Sequence, residues 1–153
     1  MVYYFDSSVA VKRYAPEKGS EWVDATFESA EENTVYLGQI GVVEIAAALG
    51  KKVRTHELNQ EEYEEALVVF LKDVQNDDYL IIPLSEQVVQ SAVDLTRRYP
   101  LRRYDAVHLA TAIAVNAILL ESELPELTFY SSDKVLCGAA RGEALAVHNP
   151  SDN

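Results

Sequence analysis

Four acidic residues stand at conspicuous places in this chain: Asp6, Glu44, Asp105 and Asp133. Asp6 closes the β-prone run Val2-Tyr3-Tyr4-Phe5, and Asp133 follows the run Leu127-Thr128-Phe129-Tyr130 closely. Glu44 lies inside Val42-Val43-Glu44-Ile45-Ala46-Ala47-Ala48-Leu49, and Asp105 opens Ala106-Val107-His108-Leu109-Ala110-Thr111-Ala112. A carboxylate in such apolar surroundings is costly unless it is paired or bound to a metal. Taken singly, Asp6 and Asp133 also suit helix N-caps, and Asp105 suits the first turn of a helix. Glu44 is harder to place as a surface acid, because Lys51 and Lys52 are out of helical register with it.

The elements that must position these acids can be read from periodicity and punctuation. Val2 to Phe5 is a strand, Ser8 to Tyr14 a helix, and Pro16 to Gly19 a break. Ser20, as N-cap, opens a helix to Glu31, and Thr34 to Leu37 is a second strand. Val42 to Val53 is helical, and Asn59 caps a helix to Gln75, with Tyr63, Leu67, Phe70, Leu71 and Val74 at helical spacing. Glu61, Glu62, Glu64 and Glu65 crowd its start, where acids suit the helix dipole. Tyr79 to Leu84 is a third strand, and Ser85 caps a helix that runs to Tyr99 and stops at Pro100. A long helix spans Tyr104 to Glu121. Leu127 to Tyr130 is a fourth strand, Asp133 to Ala140 a short helix, and Ala144 to Val147 a last strand.

Strands alternating with helices predict a three-layer α/β/α sandwich around a mostly parallel sheet of four to five strands. Ligands of open parallel sheets bind at the carboxyl edge, near the point where strand order reverses. Asp6 and Asp133 are expected at that edge, and convergence of all four acids there favours a shared site over four separate caps.

The chain has 153 residues, 48% of them hydrophobic and 25% charged, which fits a single globular domain. That domain is expected over residues 1–149, with 150–153 as a short tail. The single Cys137 cannot form an internal disulfide, and Met1 to Val11 has no basic leader, so a reduced, cytoplasmic compartment is expected. The apolar run Leu109 to Leu120 contains Asn116 and falls short of the ~20 residues of a membrane helix, so no membrane association is expected. The net charge of −12 opposes general nucleic-acid binding. Basic residues nevertheless gather near the acids: Lys12 and Arg13, then Lys51, Lys52 and Arg54, then Arg97, Arg98, Arg102 and Arg103.

The acidic segments resemble the motifs of the PIN-domain family. Tyr3-Tyr4-Phe5-Asp6-Ser7-Ser8-Val9 is similar to the family's opening, and Val43-Glu44-Ile45 to its second acidic motif. Tyr104-Asp105-Ala106-Val107-His108-Leu109-Ala110-Thr111-Ala112 resembles the third, and Phe129-Tyr130-Ser131-Ser132-Asp133-Lys134-Val135-Leu136 the fourth. Gln39-Ile40-Gly41 departs from the second motif, where Ser or Thr is common. The short chain is similar to the VapC toxins of toxin–antitoxin pairs.

The resemblance implies an endoribonuclease dependent on Mg2+, or alternatively Mn2+, cleaving RNA by metal-activated water. It implies Asp6 and Asp105 as direct ligands, with Glu44 and Asp133 completing the site directly or through water. Ser8 and Ser131 would orient carboxylates or water. It also implies a cognate antitoxin and a homodimer or higher homo-oligomer.

Other residues read more plainly. His108, on the same helix face as Asp105, reads as a hydrogen-bonded packing residue before a ligand. Cys137 reads as a small core residue. Trp22 and Phe27 read as core or partner-facing before base-stacking. A haloacid-dehalogenase-like phosphatase would want a second Asp two residues after the first, where Ser8 stands. A non-catalytic binding module on the same fold is the other alternative, and loss of an acid would be its sign.

Overall fold

The structure is a computed structural model that describes residues 1–29 and 31–152. Five strands, β1 (Val2–Phe5), β2 (Thr34–Gly38), β3 (Leu80–Ile82), β4 (Leu127–Tyr130) and β5 (Ala146–His148), form one sheet in the order β3-β2-β1-β4-β5. Every neighbouring pair is parallel. Seven helices accompany them among the described residues: α1 (Ser7–Ala10), α2 (Ser20–Glu28), α3 (Gln39–Arg54), α4 (Gln60–Gln75), α5 (Glu86–Arg98), α6 (Arg103–Glu121) and α7 (Lys134–Gly142). The expected α/β sandwich with a parallel sheet is thus the fold observed.

The alternation of side chains along β1 divides the interior into two cores. Tyr4 joins Leu127 and Phe129 beneath α5, α6 and α7. Tyr3 and Phe5 join Val35, Leu37 and Tyr130 beneath α1 to α4. Because both faces are covered, Tyr3, Tyr4 and Phe5 are all buried, as continuous apolar strands of parallel sheets require. α6 is 19 residues long and apolar enough to match a membrane span by length and composition, contrary to the expectation from its longest apolar run. Its residues Ala106, Leu109, Ala110 and Ala112 are buried in the first core, as an all-round apolar helix at the centre of a domain should be.

Several boundaries differ from those expected, for local reasons. The first helix is a short α1 followed by a tighter 3-10 turn over Val11–Arg13. Ser20 is not the cap of α2. Gly19 holds that position in a left-handed conformation, while Ser20 Oγ donates to the Lys12 carbonyl and accepts from the Glu17 amide. Of the helix expected to Glu31, residue 30 lies outside the described residues and α2 closes at Glu28. α3 begins at Gln39, ahead of the expected Val42, because Gly38 caps it directly from β2. β3 keeps only Leu80–Ile82, since Pro83 has no N–H for a ladder and Tyr79 turns into the second core. α7 runs on to Gly142, and Ala144, at φ 62°, delays β5 to Ala146. The terminal segment folds back as a 3-10 turn, Pro150–Asp152, with Pro150 buried.

Asn59 and Glu62 form a reciprocal capping box at the head of α4, and Ser85 caps α5 through the Val88 amide. Gly19 meets two demands at once. Its φ is +95°, and a Cβ there would lie 2.9 Å from the carbonyl oxygen of Pro150. Gly19→Ala is expected to destabilise the protein by roughly 1–3 kcal/mol, a fall in Tm of a few degrees. Thermal denaturation followed by circular dichroism checks this, and an unchanged Tm would refute the contact.

Candidate active site

β1 and β4 end together, with Phe5 in register with Tyr130 and with Leu37 of β2, which runs one residue further to Gly38. Strand order reverses at β1, which has β2 on one side and β4 on the other. Asp6 leaves β1 at that point, and its amide donates to the Tyr130 carbonyl at 3.1 Å. The Asp6 side chain is buried, so its oxygens need partners. Oδ1 accepts from Ser8 Oγ at 2.6 Å and from the Val9 amide at 3.1 Å, and Oδ2 accepts from Ser131 Oγ at 2.6 Å.

The two serines tie Asp6 to the β4–α7 turn. Ser8 Oγ accepts from the Ser132 amide at 3.0 Å, and Ser131 Oγ accepts from the Asp133 amide at 3.0 Å. Asp133 caps α7 through Oδ1, which accepts from the Leu136 amide at 3.0 Å. Cap and site are therefore not alternatives. Asp6 caps α1 and Asp133 caps α7, and the caps fix where their carboxylates stand.

Asp105 is placed in the first turn of α6, half-buried, and makes no hydrogen bond or ion pair among the described residues. Burial is the first cause of its raised pKa, about 6, followed by the negative charges of Asp133 and Asp6; His108 opposes them, and Glu44 adds a smaller push upward. The four acids expected from sequence thus act on one another through space. The carboxyl of Asp6 is also pushed up by burial, against the pull of His108 and of its donors Ser131, Ser8 and Val9.

Glu44 projects from α3, and its Oε1 lies 2.5 Å from His108 Nε2. On the far side of the ring, His108 Nδ1 lies 2.8 Å from the Tyr4 hydroxyl. His108 is thus the packing histidine expected, but its partners run from the core to the site. The role of Tyr4 and the Ser132 amide was not visible in sequence. The alternation that places Tyr4 opposite Tyr3 and Phe5, toward α6, was the one available signal.

The basic residues divide into two groups. Lys12 is buried against Glu17 and the Lys18 carbonyl, Arg13 pairs with Asp73, Lys52 with Glu17 and Glu57, and Arg98 with Glu143. Of the basic residues that gather near the acids in sequence, these four are taken up in structural pairs. Arg102 and Arg103 before Asp105, and Lys134 after Asp133, are exposed and form no ion pair among the described residues. Trp22 and Phe27 are turned inward, Trp22 against Tyr130 and His148 and Phe27 against Phe5 and Tyr79. Cys137 is buried, as expected, with its thiol donating to the Ser131 carbonyl.

The model of the PIN domain family matches residues 3–123. The chain belongs to the PIN domain family. Two relatives from Mycobacterium tuberculosis, Ribonuclease VapC45 of strain CDC 1551 / Oshkosh and Ribonuclease VapC49 of strain ATCC 25618 / H37Rv, are each 33% identical over 118 residues. That alignment covers 73% of this chain and 75% of either relative. The fold is also that of VapBC2 from Rickettsia felis, solved bound to a DNA fragment from their promoter. Its TM-score is 0.66 at 18% identity, over 97% of this chain and 98% of the other. Asp6, Glu44 and Asp105 lie within the matched residues, and Asp133 lies beyond them.

The Asp105 environment has a consequence for stability. The unfolded chain separates the acids, so Asp105 there titrates near its ordinary 3.8, against about 6 in the fold. The folded state therefore binds the proton more tightly, and stability of the metal-free protein falls as pH rises from about 4 to about 6. Discounted for partial exposure, the loss is on the order of 1 kcal/mol at neutral pH. Metal-free Asp105→Asn should melt above wild type at pH 7, and the two should converge below about pH 4. Melts in chelator across that range check this; a variant less stable than wild type at pH 7 would show that Asp105 is not repelled.

Proposed function

We propose that this PIN domain is a divalent-cation-dependent endoribonuclease and the toxin of a toxin–antitoxin pair. One observation carries the reading: Asp105, half-buried near the carboxyl edge of the sheet, feels the charges of Asp133, Asp6 and Glu44 from three other elements, and its pKa is raised to about 6. The two relatives named as ribonucleases support the substrate class.

The donor set fits a hard divalent cation, Mg2+ or Mn2+, in its chemistry. Among the described residues no three His, Cys, Asp or Glu side chains stand close enough to cage a metal. That suits an open site, since Mg2+ is typically held by one or two carboxylates and keeps several waters. Asp105 is the acid with least compensation from the protein, and Asp6 is the acid most firmly oriented. These two would hold the ion directly, with Glu44 and Asp133 completing the site directly or through water. A bound cation would supply acidification of water and neutralisation of charge on the phosphate.

The chain's own residues do the rest. Ser8 and Ser131 fix both Asp6 oxygens, and the caps of α1 and α7 fix the backbone that carries Asp6 and Asp133. Arg102, Arg103 and Lys134 place positive charge beside two of the acids, where an RNA backbone would pass. His108 is buried behind Glu44, so among the described residues no exposed histidine pair flanks the acids to run a metal-free route through the RNA 2′-hydroxyl.

For an antitoxin, the apolar groove of about 300 Å³ lined by Ile40, Val43, Glu44, Ala47 and Tyr104 offers a binding surface beside the acids. An antitoxin Arg would pair with the carboxylates there. Exposed Val89 and Val93 on α5, and Ile118 and Leu120 on α6, support self-association. A homodimer or larger assembly is expected in light scattering, and a monomer at high concentration would refute it.

The purified protein should cleave RNA with Mg2+ or Mn2+, leaving 5′-phosphate and 3′-hydroxyl ends, and should stop in excess chelator. Asp105→Asn is the cleaner test variant, because Asp6→Asn would also break hydrogen bonds that hold the α1 turn. Its cleavage rate should fall at least a hundredfold, on the order of 3 kcal/mol in the barrier. Full activity in chelator, 2′,3′-cyclic phosphate ends, or near-normal cleavage by folded Asp105→Asn would overturn the reading.

A further inference from the structure

The chain Tyr4–His108–Glu44 is more than packing requires. His108 is 1% exposed and Tyr4 0%, so neither ring can turn to water for partners. The imidazole is gripped at both nitrogens, by Glu44 Oε1 at 2.5 Å and by the Tyr4 hydroxyl at 2.8 Å. A carboxylate only accepts, so Nε2 is the donor to Glu44, and the Tyr4 hydroxyl holds the ring from the Nδ1 side.

The backbone around the ring is shaped to admit this arrangement. A Cβ on Gly38 would lie 2.6 Å from the Tyr4 hydroxyl. A Cβ on Gly41 would lie 2.7 Å from Leu37 Cδ1 and 3.3 Å from His108 Cε1. Two glycines at the β2–α3 junction thus let α3 approach closely enough for Glu44 to reach a histidine on α6. His108 is one helical turn from Asp105, so a single turn of α6 carries one acid of the site and the group that grips another.

We propose that His108 is a positioning residue for Glu44, holding Oε1 so that the carboxylate is presented to the acid cluster, with Tyr4 locking the imidazole from behind. This rests on the proposed cation site. Without the imidazole, Glu44, whose side chain is 23% exposed, would lose its hydrogen-bond partner, and repulsion from the other acids would turn it outward. With it, the rotamer is chosen before any ion arrives, and the entropy of ordering that side chain is met during folding rather than at binding.

The experiment is a double-mutant cycle read by calorimetric titration of the metal-free protein with Mn2+. His108→Leu is expected to raise the Mn2+ Kd roughly ten- to hundredfold, the usual range for residues that orient a metal ligand. His108→Gln, which keeps an N–H donor, should recover part of the loss, and Tyr4→Phe should show a smaller loss in the same direction. On a Glu44→Gln background, His108→Leu should change the Kd little, because the group it orients is gone. A purely structural His108 would weaken binding equally on both backgrounds. If His108→Leu fails to fold, Tyr4→Phe and His108→Gln with and without Glu44→Gln carry the same comparison. Wild-type Mn2+ binding with unchanged affinity in the His108 and Tyr4 variants, or equal losses on both backgrounds, would overturn this inference alone. No Mn2+ binding by wild type would overturn the cation site and this inference with it.

Discussion

A carboxylate at the end of a strand that is buried on both faces has no water to lean on, and everything near the site follows from satisfying it. Asp6 leaves β1 where β2 and β4 end alongside it, and three donors reach its two oxygens from α1 and from the β4–α7 turn. An unsatisfied buried acceptor would cost about 1–3 kcal/mol and a buried charge more. The same bonds that remove that penalty set the direction of α1 and the course of residues 131–133. Asp133 is located because Ser131 is occupied with Asp6.

Asp105 follows the opposite logic. It is half-buried beside three other acids and makes no hydrogen bond among the described residues. Where Asp6 is compensated by the protein, Asp105 is left for something else to compensate. An acid with its pKa near 6 at the switch point of a parallel sheet is the kind of perturbation that marks a functional site. The four acids are therefore not equivalent: two are anchored by caps, one is gripped by a histidine, and one is poised.

Most of this was legible in the chain because strand ends and apolar runs are strong signals. The runs around Phe5 and Tyr130 placed Asp6 and the 131–133 turn, and the apolar stretches around Glu44 and Asp105 made those acids stand out. Ser8 and Ser131 were legible from the motifs. What was not legible depends on contacts between distant residues. Ser20 has the composition of an N-cap, yet the approach of Pro150 gives the position to Gly19. Lys12, Arg13, Lys52 and Arg98 gather near the acids in sequence, but their partners Glu17, Asp73 and Glu143 are seen only in the fold. Tyr4 gives no sign in sequence that its hydroxyl reaches a helix more than 100 residues away, at His108.

The order of strands in the sheet differs from their order in the chain. β1 is made first, but its neighbour β4 begins at Leu127, after all of α6. During synthesis β1 can pair with β2 along one edge early, while its other edge stays bare. Asp6 lacks Ser131, and Asp105 lacks Asp133, until residues 127–133 have left the ribosome. Domains tend to fold as units as they emerge. Here β1 gains its second neighbour only after the whole of α6, so the acids are made one after another and brought together late.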